Sequence, residues 1–139
     1  MKTLPIVWQR LVSGGRTCER CGATEQQMLR ALAKLEQALR PLGLEPVLET
    51  RELDPAAFRA APSESNRIWI AGRPMEDWLG ARVGSSPCCT VCGDAECRTV
   101  EVGGAVYETI PEDLLIRAAL IAAAALLGPE SEAPRSCCP

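Results

Sequence analysis

The cysteines of this 139-residue chain carry most of the chemistry that its side chains could perform, because the chain contains eight of them and no histidine. The eight thiols fall into three groups: a Cys-x-x-Cys motif at Cys18 and Cys21, a dense cluster at Cys88, Cys89, Cys92 and Cys97, and an adjacent pair at Cys137 and Cys138. A metal site built from these side chains would be rich in thiolates and would favour soft or borderline ions. Any redox chemistry would proceed without a histidine base.

The Cys-x-x-Cys motif encloses Glu19 and Arg20. Nearby positive charge and the start of a helix would both favour the thiolate form of a cysteine. In a reducing compartment this motif indicates metal binding or catalysis before a structural disulfide. The alternative is a pair of buried, inert cysteines. The glycines at 14, 15 and 22 argue against it, because they predict an exposed loop.

The dense cluster has the spacing of a zinc knuckle at Cys89-x-x-Cys92. With Cys97 it could supply three thiolates, and Cys18 or Cys21 could complete a set of four. A purely structural zinc loop is the alternative interpretation of the same spacing. The connection from residue 71 to residue 88 could span about 50 Å if extended, so the cluster can reach the Cys-x-x-Cys motif.

The two adjacent pairs, Cys88–Cys89 and Cys137–Cys138, are poorly suited to internal disulfides. Neighbouring Cα atoms lie about 3.8 Å apart, whereas disulfides prefer about 4.4–6.8 Å. Such a bond would be strained and readily reduced. Two adjacent thiolates could instead share one large soft ion, and the pair near the C-terminus could hand over an ion or resolve a disulfide between Cys18 and Cys21. A tail without functional consequence is the alternative.

Composition indicates a globular protein and excludes several partners. Apolar residues make up 47% of the chain and charged residues 24%, both ordinary values. The net charge of −3 and the scarcity of aromatic residues argue against nucleic-acid binding. The longest apolar run, residues 118–127, is too short to cross a bilayer, and residues 1–10 lack a signal-peptide pattern. We therefore expect a cytoplasmic protein without a membrane partner, and the oligomeric state remains open.

Hydrophobic periodicity and breaker residues predict the elements that position these thiols. The predicted strands cover residues 6–12, 45–53 and 67–71, with a later hairpin at 98–102 and 105–110, and the predicted helices cover 24–40, 56–60 and 112–127. Thr17 offers a rival start for the first helix, which would place Cys18 in its first turn. Residues 81–97 are predicted to be a cysteine-rich loop within a domain of residues 1–128, followed by a flexible tail at 129–139.

This order of elements predicts a thioredoxin-like α/β (α+β) fold. A strand–helix–strand unit gives a parallel pair with a right-handed crossover, and the later strands then add antiparallel to the same sheet. The result is a mixed sheet of four to five strands with flanking helices and a cysteine-rich loop insertion. The Cys-x-x-Cys motif follows the first strand, where thioredoxin-like proteins carry it.

The chain also resembles a known family. Four stretches carry the likeness: residues 12–21 (VSGGRTCERC), 68–79 (IWIAGRPMEDWL), 88–100 (CCTVCGDAECRTV) and 107–112 (YETIPE). They resemble an uncharacterised family of small, cysteine-rich, thioredoxin-like proteins of bacteria and archaea, a domain of unknown function. The resemblance implies the fold but no activity. Redox thioredoxins normally keep a proline before the third strand, where this chain has Asn66 and Arg67, and their motif centre is Gly-Pro.

Three functions are compatible with these residues. The first is thiolate binding of a soft or borderline ion such as zinc, mercury, arsenite or copper(I), with all eight cysteines as candidate ligands. The second is a thiol–disulfide oxidoreductase in which Cys18 attacks and Cys21 resolves, so whether the chain is an enzyme stays open. The third is an interaction module with a structural zinc. We expect a metal ion or a thiol-containing protein as partner and no organic cofactor.

Overall fold

The computed structural model describes residues 2–87 and 96–128, and residues 1, 88–95 and 129–139 lie outside the described part. The described residues form a mixed α+β architecture with two β-sheets and flanking helices. The strands are β1 (Lys2–Leu11), β2 (Leu44–Leu53), β3 (Arg67–Ile70), β4 (Arg73–Pro74), β5 (Arg82–Pro87), β6 (Glu96–Val102) and β7 (Ala105–Tyr107). The helices are α1 (Glu19–Leu39), α2 (Pro55–Ala60), α3 (Met75–Leu79) and α4 (Glu112–Leu127).

The first sheet has the strand order β2-β1-β3-β4. β1 and β2 are parallel along their whole length, as they must be when α1 carries the chain back to the start of the next strand. β3 pairs antiparallel with β1, and β4 pairs antiparallel with β3. The predicted parallel pair and the antiparallel addition of the third strand are confirmed.

The main core lies between the first sheet and the helices α1 and α4. Alternate residues of β1, namely Leu4, Ile6 and Trp8, are buried on one face of the sheet, as the two-residue period of a strand requires. α1 contributes Met28 and Leu35 among its buried residues. The alanines of α4, at positions 118, 119, 122 and 123, are almost fully buried, so the helices approach closely.

Helix α1 starts earlier than the favoured sequence prediction. We expected residue 24 as the start, but α1 begins at Glu19 with Cys18 as its N-cap, which is the rival start near Thr17. Gly22 is tolerated inside the helix because tertiary packing outweighs its weak helix propensity. Thr24 and Gln27 have the spacing of a capping box, which is what placed the expected start at residue 24. They instead accept hydrogen bonds from the backbone amides of Ile110 and Glu112. Gln27 thereby caps the first turn of α4.

The second sheet, with order β5-β6-β7, differs from the prediction. The region 81–97 was expected to be a loop, but Arg82–Pro87 is a strand that pairs with β6, and Cys97 lies opposite Ser86. The predicted hairpin forms as β6 and β7, yet it pairs with β5 and not with the first sheet. The Gly and Ser residues of β5 carry no strand periodicity, so cross-strand pairing and not local propensity holds this strand.

None of the helices among the described residues is long and apolar enough to cross a membrane.

Candidate thiol site

The junction between β1 and α1 positions the Cys-x-x-Cys motif. After β1, Ser13 and Arg16 exchange backbone hydrogen bonds of 2.8 and 3.0 Å across a tight turn. Thr17 Oγ1 then donates a 2.9 Å hydrogen bond to the carbonyl oxygen of Leu11 and ties the turn back to the strand. Cys18 follows in the extended conformation of an N-cap.

Cys18 caps α1 with its sulfur. Its Sγ accepts a hydrogen bond from the backbone N–H of Cys21 at 3.4 Å, and thereby satisfies one of the amides that a helix start leaves without a partner. The amides and dipole at this end of the 21-residue helix favour negative charge at the sulfur of Cys18. The two cysteines therefore form one local unit in the first turn of the helix.

Both cysteines of the motif are buried. Cys18 is 1% exposed and Cys21 is 2% exposed, so the exposed loop that the glycines predicted is wrong for these two side chains. This burial agrees with the alternative interpretation, in which the two cysteines are inert. Whether the pair is inert is a separate question, because their polar contacts differ from those of cysteines that serve only as small apolar side chains.

Ser65 is a contact of the motif that the sequence analysis missed. Its hydroxyl accepts a 3.2 Å hydrogen bond from the backbone N–H of Leu11, and its Oγ lies 3.5 Å from Cys21 Sγ. Ser65 is 1% exposed and directly precedes Asn66, which has a φ of 61°. The missing proline before the third strand pointed to this segment, but nothing in the sequence showed that a hydroxyl would face the thiol.

The two thiols are electrostatically unequal. The hydrogen bond to the Cys18 side chain, and then burial, raise the pKa of the Cys21 thiol well above its ordinary value of 9.0, while the contact with Ser65 opposes this rise. Cys21 therefore keeps its proton at pH values where an ordinary cysteine thiol would lose it. The site presents one sulfur that holds its proton tightly, that of Cys21, and one sulfur that accepts a backbone N–H, that of Cys18.

Arg20, between the two cysteines, is a buried arginine that reaches the second sheet. Its Nη1 donates to the carbonyl oxygen of Arg98 at 3.4 Å, and its Nη2 donates to Ser86 Oγ at 3.0 Å and to the carbonyl oxygen of Pro87 at 2.9 Å. An ion pair of 3.3 Å with Glu108 completes its surroundings. From the sequence we expected only a nearby positive charge, whereas the guanidinium joins α1 to β5 and β6.

Arg98 extends this connection from the second sheet to the rest of the molecule. Its guanidinium donates to the carbonyl oxygen of Ser63 at 2.9 Å and forms a buried ion pair with Glu76 at the start of α3. A buried charge of this kind is tolerated only when it is paired and hydrogen-bonded. Polar contacts therefore hold the second sheet in two directions: Arg20 joins it to α1, and Arg98 joins it to Ser63 and to Glu76 of α3.

Cys97 belongs to the second sheet and is 2% exposed. Its cross-strand partner Ser86 and its neighbour Arg98 both accept hydrogen bonds from Arg20, so the structure brings its strand to the start of α1. Among residues 2–87 and 96–128, no three His, Cys, Asp or Glu side chains form a group that could hold a metal ion.

The other candidate ligands are Cys88, Cys89, Cys92, Cys137 and Cys138, and all five lie outside the described residues. Their predicted role stays a prediction.

Asn66 forms a buried polar hub beside the thiols. Its Oδ1 accepts a 3.0 Å hydrogen bond from Trp8 Nε1, and its Nδ2 donates to Thr24 Oγ1 at 3.1 Å and to the carbonyl oxygen of Glu108 at 3.4 Å. Trp8 is a fully buried core residue. The hub fixes β1, α1 and the segment before β3 relative to one another, and so holds Ser65 in place.

Fold and site together define a class: a small mixed α+β protein with a buried dithiol in the first turn of its longest described helix. The chain belongs to the family described as "Domain of unknown function (DUF2703)", whose model matches residues 4–119. A protein of Archaeoglobus fulgidus named "Uncharacterized protein" is 46% identical over 112 residues, which cover 81% of this chain and 82% of that protein. No solved structure matches the chain. The predicted membership of an uncharacterised family is confirmed.

Proposed function

We propose that this protein is a cytoplasmic, thioredoxin-like protein that binds soft or borderline metal ions, zinc or a heavy-metal ion, through cysteine thiolates. The topology supports the thioredoxin-like part of the proposal. A parallel β1–α1–β2 unit is extended by the antiparallel strand β3, and the Cys-x-x-Cys motif stands at the junction of the first strand and the first helix.

The observation that carries the metal-binding proposal is the buried dithiol of Cys18 and Cys21. Two thiols separated by two residues have the spacing that zinc sites use for ligand pairs. In the first turn of α1 the helix start favours negative charge at the ligand sulfur of Cys18. An ion that binds both sulfurs would displace the proton that Cys21 holds, so binding would release protons.

The remaining ligands of such a site would come from the other cysteines. A closed zinc site uses four ligands, and in this chain without histidine the abundant soft donors are thiolates. Arg20 contacts the carbonyl group of Pro87, the residue that directly precedes the cluster of Cys88, Cys89 and Cys92 in the sequence. This contact supports the proposed convergence of the cluster on the dithiol, and the same guanidinium contacts Ser86 and Arg98, the cross-strand partner and the chain neighbour of Cys97.

Burial favours a small ligand over a protein substrate. A partner's disulfide must approach the attacking sulfur directly, and the side chains of both Cys18 and Cys21 are almost fully covered. A metal ion needs only a narrow path to the same sulfurs. This difference is why we place metal binding ahead of disulfide exchange.

A thiol–disulfide oxidoreductase is the second candidate, and the inequality of the two thiols favours it. Cys18 as thiolate would attack a substrate disulfide and release one substrate thiolate, forming a mixed disulfide. Cys21 would then lose its proton and attack the sulfur of Cys18, which releases the second substrate thiolate and leaves a Cys18–Cys21 disulfide. Ser65, in the segment where redox thioredoxins keep a proline, argues against this candidate.

Zinc titration of the reduced full-length protein tests the proposal. We expect zinc to protect thiols from a chromogenic thiol reagent in the wild-type protein. Cys18→Ser and Cys21→Ser should each weaken zinc binding by more than about 100-fold, because even the loss of a residue that only supports a ligand costs about 10–100-fold. Ser13→Ala, in the same turn, keeps all eight cysteines and is the matched control.

Wild-type thiols that react equally fast with and without zinc or mercury would contradict the proposal. Reduction of insulin disulfides by the wild type, lost in Cys18→Ser, would establish the oxidoreductase instead. Unfolding of the wild type on removal of zinc would assign the ion a purely structural role.

A further inference from the structure

We infer that Arg20 is a positioning residue that couples the Cys18–Cys21 dithiol to the second sheet and thereby fixes the strand of Cys97 beside it. The inference rests on the proposed function only where it concerns a bound ion. Its structural part concerns the described residues alone and holds for the reduced, metal-free protein.

The contacts of Arg20 are unusual for an arginine in a helix. Its side chain is 7% exposed although the residue lies in the first turn of α1. Both terminal nitrogens donate to the second sheet, to one side chain and to two backbone carbonyl groups. A guanidinium donates in a fixed fork geometry, so these contacts define the orientation of its partners and not only their proximity.

These partners lie on both sides of Cys97. Ser86 is the residue of β5 opposite Cys97, and Arg98 follows Cys97 in β6. The carbonyl group of Pro87 adds a contact at the end of β5. The fork of Arg20 therefore holds the two strands at the position of Cys97 and leaves little freedom for this thiol to move relative to α1.

Arg20 is also covalently close to the dithiol. It directly precedes Cys21 and lies two residues after Cys18, within the turn that the hydrogen bond from the Cys21 amide closes. Any ligand that draws the two sulfurs together must adjust this turn. Because the guanidinium is held by β5 and β6, the adjustment reaches the second sheet. By reciprocity, anything that moves the second sheet changes the affinity of the dithiol for its ligand.

Positive charge alone does not account for the arrangement. Glu108 lies 3.3 Å from the guanidinium and offsets part of its charge, while the other three acceptors are neutral. A lysine would keep the charge but present a single compact donor on a flexible stem. Arg20→Lys therefore separates positioning from charge, and Arg20→Gln removes both.

The first experiment uses the reduced, metal-free, full-length protein and needs no assumption about function. The rate at which iodoacetamide alkylates Cys97, followed by mass spectrometry, reports how often the second sheet opens. The rate of amide hydrogen exchange in β5 and β6 reports this opening separately for each strand. We expect Arg20→Lys and Arg20→Gln each to accelerate Cys97 alkylation by at least about tenfold, with faster exchange confined to β5, β6 and the start of α1. Arg10→Lys is the matched control.

Arg10 is a suitable control because it pairs with Glu25 of α1 at 2.8 Å and stacks on Trp8, without a contact to the second sheet among its hydrogen bonds and ion pairs in the described residues. Wild-type behaviour of Arg20→Lys would overturn the inference, since charge alone would then suffice. Exchange that accelerates uniformly through the core in Arg20→Lys would also overturn it, since Arg20 would then merely stabilise the fold.

Zinc tests the coupling itself. We expect zinc to slow exchange in β5 and β6 of the wild type and to leave these strands unchanged in Arg20→Lys. Zinc binding by the wild type without any change in β5 and β6 would overturn the coupling. A wild type that binds neither zinc nor mercury would refute the proposed function. If Cys97 is alkylated faster in Arg20→Lys than in that wild type, the positioning role of Arg20 still stands.

Discussion

Two causes raise the pKa of the Cys21 thiol, first its side-chain interaction with Cys18 and then its burial, so Cys21 holds its proton. The hydroxyl of Ser65 limits this rise and is one of the polar side chains that face the sulfur. At the scale of residues the site is thus an unequal pair with a hydroxyl beside it. The position of the Cys-x-x-Cys motif directly after the first strand could be predicted from the sequence. The contact with Ser65 could not, since it depends on how β1 and β3 pair.

The raised pKa of Cys21 makes stability depend on pH. The folded protein keeps a proton that the unfolded chain loses above the ordinary thiol value of 9.0. The contribution of Cys21 to stability is therefore complete below about pH 9 and decreases as the pH rises above it, by at most about 1.4 kcal/mol per pH unit. Urea unfolding of the reduced protein between pH 7.5 and 10.5 measures this.

In Cys21→Ala the decrease in stability above about pH 9 should be smaller, because alanine cannot ionise. Its unfolding free energy should therefore vary less with pH than that of the wild type. Ser13→Ala, which keeps Cys21, should follow the wild type. Parallel pH dependences for the wild type and Cys21→Ala would show that Cys21 does not hold a proton more tightly when folded.

Asn66 offers a second prediction at this scale. Asn66→Ala removes the hydrogen-bond acceptor of Trp8 Nε1 and the donor to Thr24 Oγ1. It also places alanine at a φ of 61°, a conformation that asparagine adopts more readily. One unsatisfied buried donor costs about 1–3 kcal/mol, and the positive φ adds strain. We expect a loss of at least about 2 kcal/mol in the unfolding free energy, measured by urea denaturation.

Asn66→Gly is the informative comparison, because glycine adopts positive φ without strain. Asn66→Gly should recover the part of the stability loss that comes from backbone strain. It should not recover the part that comes from the unsatisfied N–H of Trp8. Equal stability of Asn66→Gly and the wild type would show that the polar hub contributes nothing.

At the scale of elements, the start of α1 and the strand β5 show where sequence reasoning succeeds and where it fails. The apolar period of α1 predicted its body, but Thr24 and Gln27 looked like a cap because the sequence cannot show that α4 uses them as acceptors. β5 has glycine and serine where a strand usually has β-branched residues, and only its pairing with β6 makes it a strand. Long-range partners decided both cases.

Two glycines give a paired prediction at this scale. Gly22 lies inside α1, and a β-carbon there would meet only the methyl group of Thr17 at 3.8 Å, an ordinary contact. Gly22→Ala should therefore stabilise the protein by about 0.5–1 kcal/mol through helix propensity. A β-carbon at Gly84 would lie 2.9 Å from Thr99 Oγ1, so Gly84→Ala should destabilise the second sheet.

The measurement for the pair is the denaturation midpoint together with hydrogen exchange in β5 and β6. Gly84→Ala should accelerate exchange there, and Gly22→Ala should not. A stabilising Gly84→Ala would contradict the close packing of β5 on β6, and a destabilising Gly22→Ala would show that the first turn of α1 cannot accept a side chain beside the dithiol.

At the scale of the whole molecule, the order of elements predicted the parallel β1–β2 pair and the antiparallel β3, because strand–helix–strand connections allow few alternatives. The separate sheet of β5, β6 and β7 could not be predicted, since a hairpin such as β6–β7 carries no local signal for the sheet that it joins. The thiol site is tied to this separate sheet, because Arg20, between the two cysteines of the motif, reaches from α1 to Arg98 of β6 and Ser86 of β5.

X-ray absorption at the zinc edge tests the central claim most directly. For the zinc-loaded wild-type protein we predict a first shell made of sulfur at about 2.3 Å, because thiolates are the soft donors that this chain offers in number. Cys18→Ser and Cys21→Ser should each lower the sulfur count. A first shell made mainly of oxygen or nitrogen, or a sulfur shell that both substitutions leave unchanged, would contradict the assignment of Cys18 and Cys21 as metal ligands.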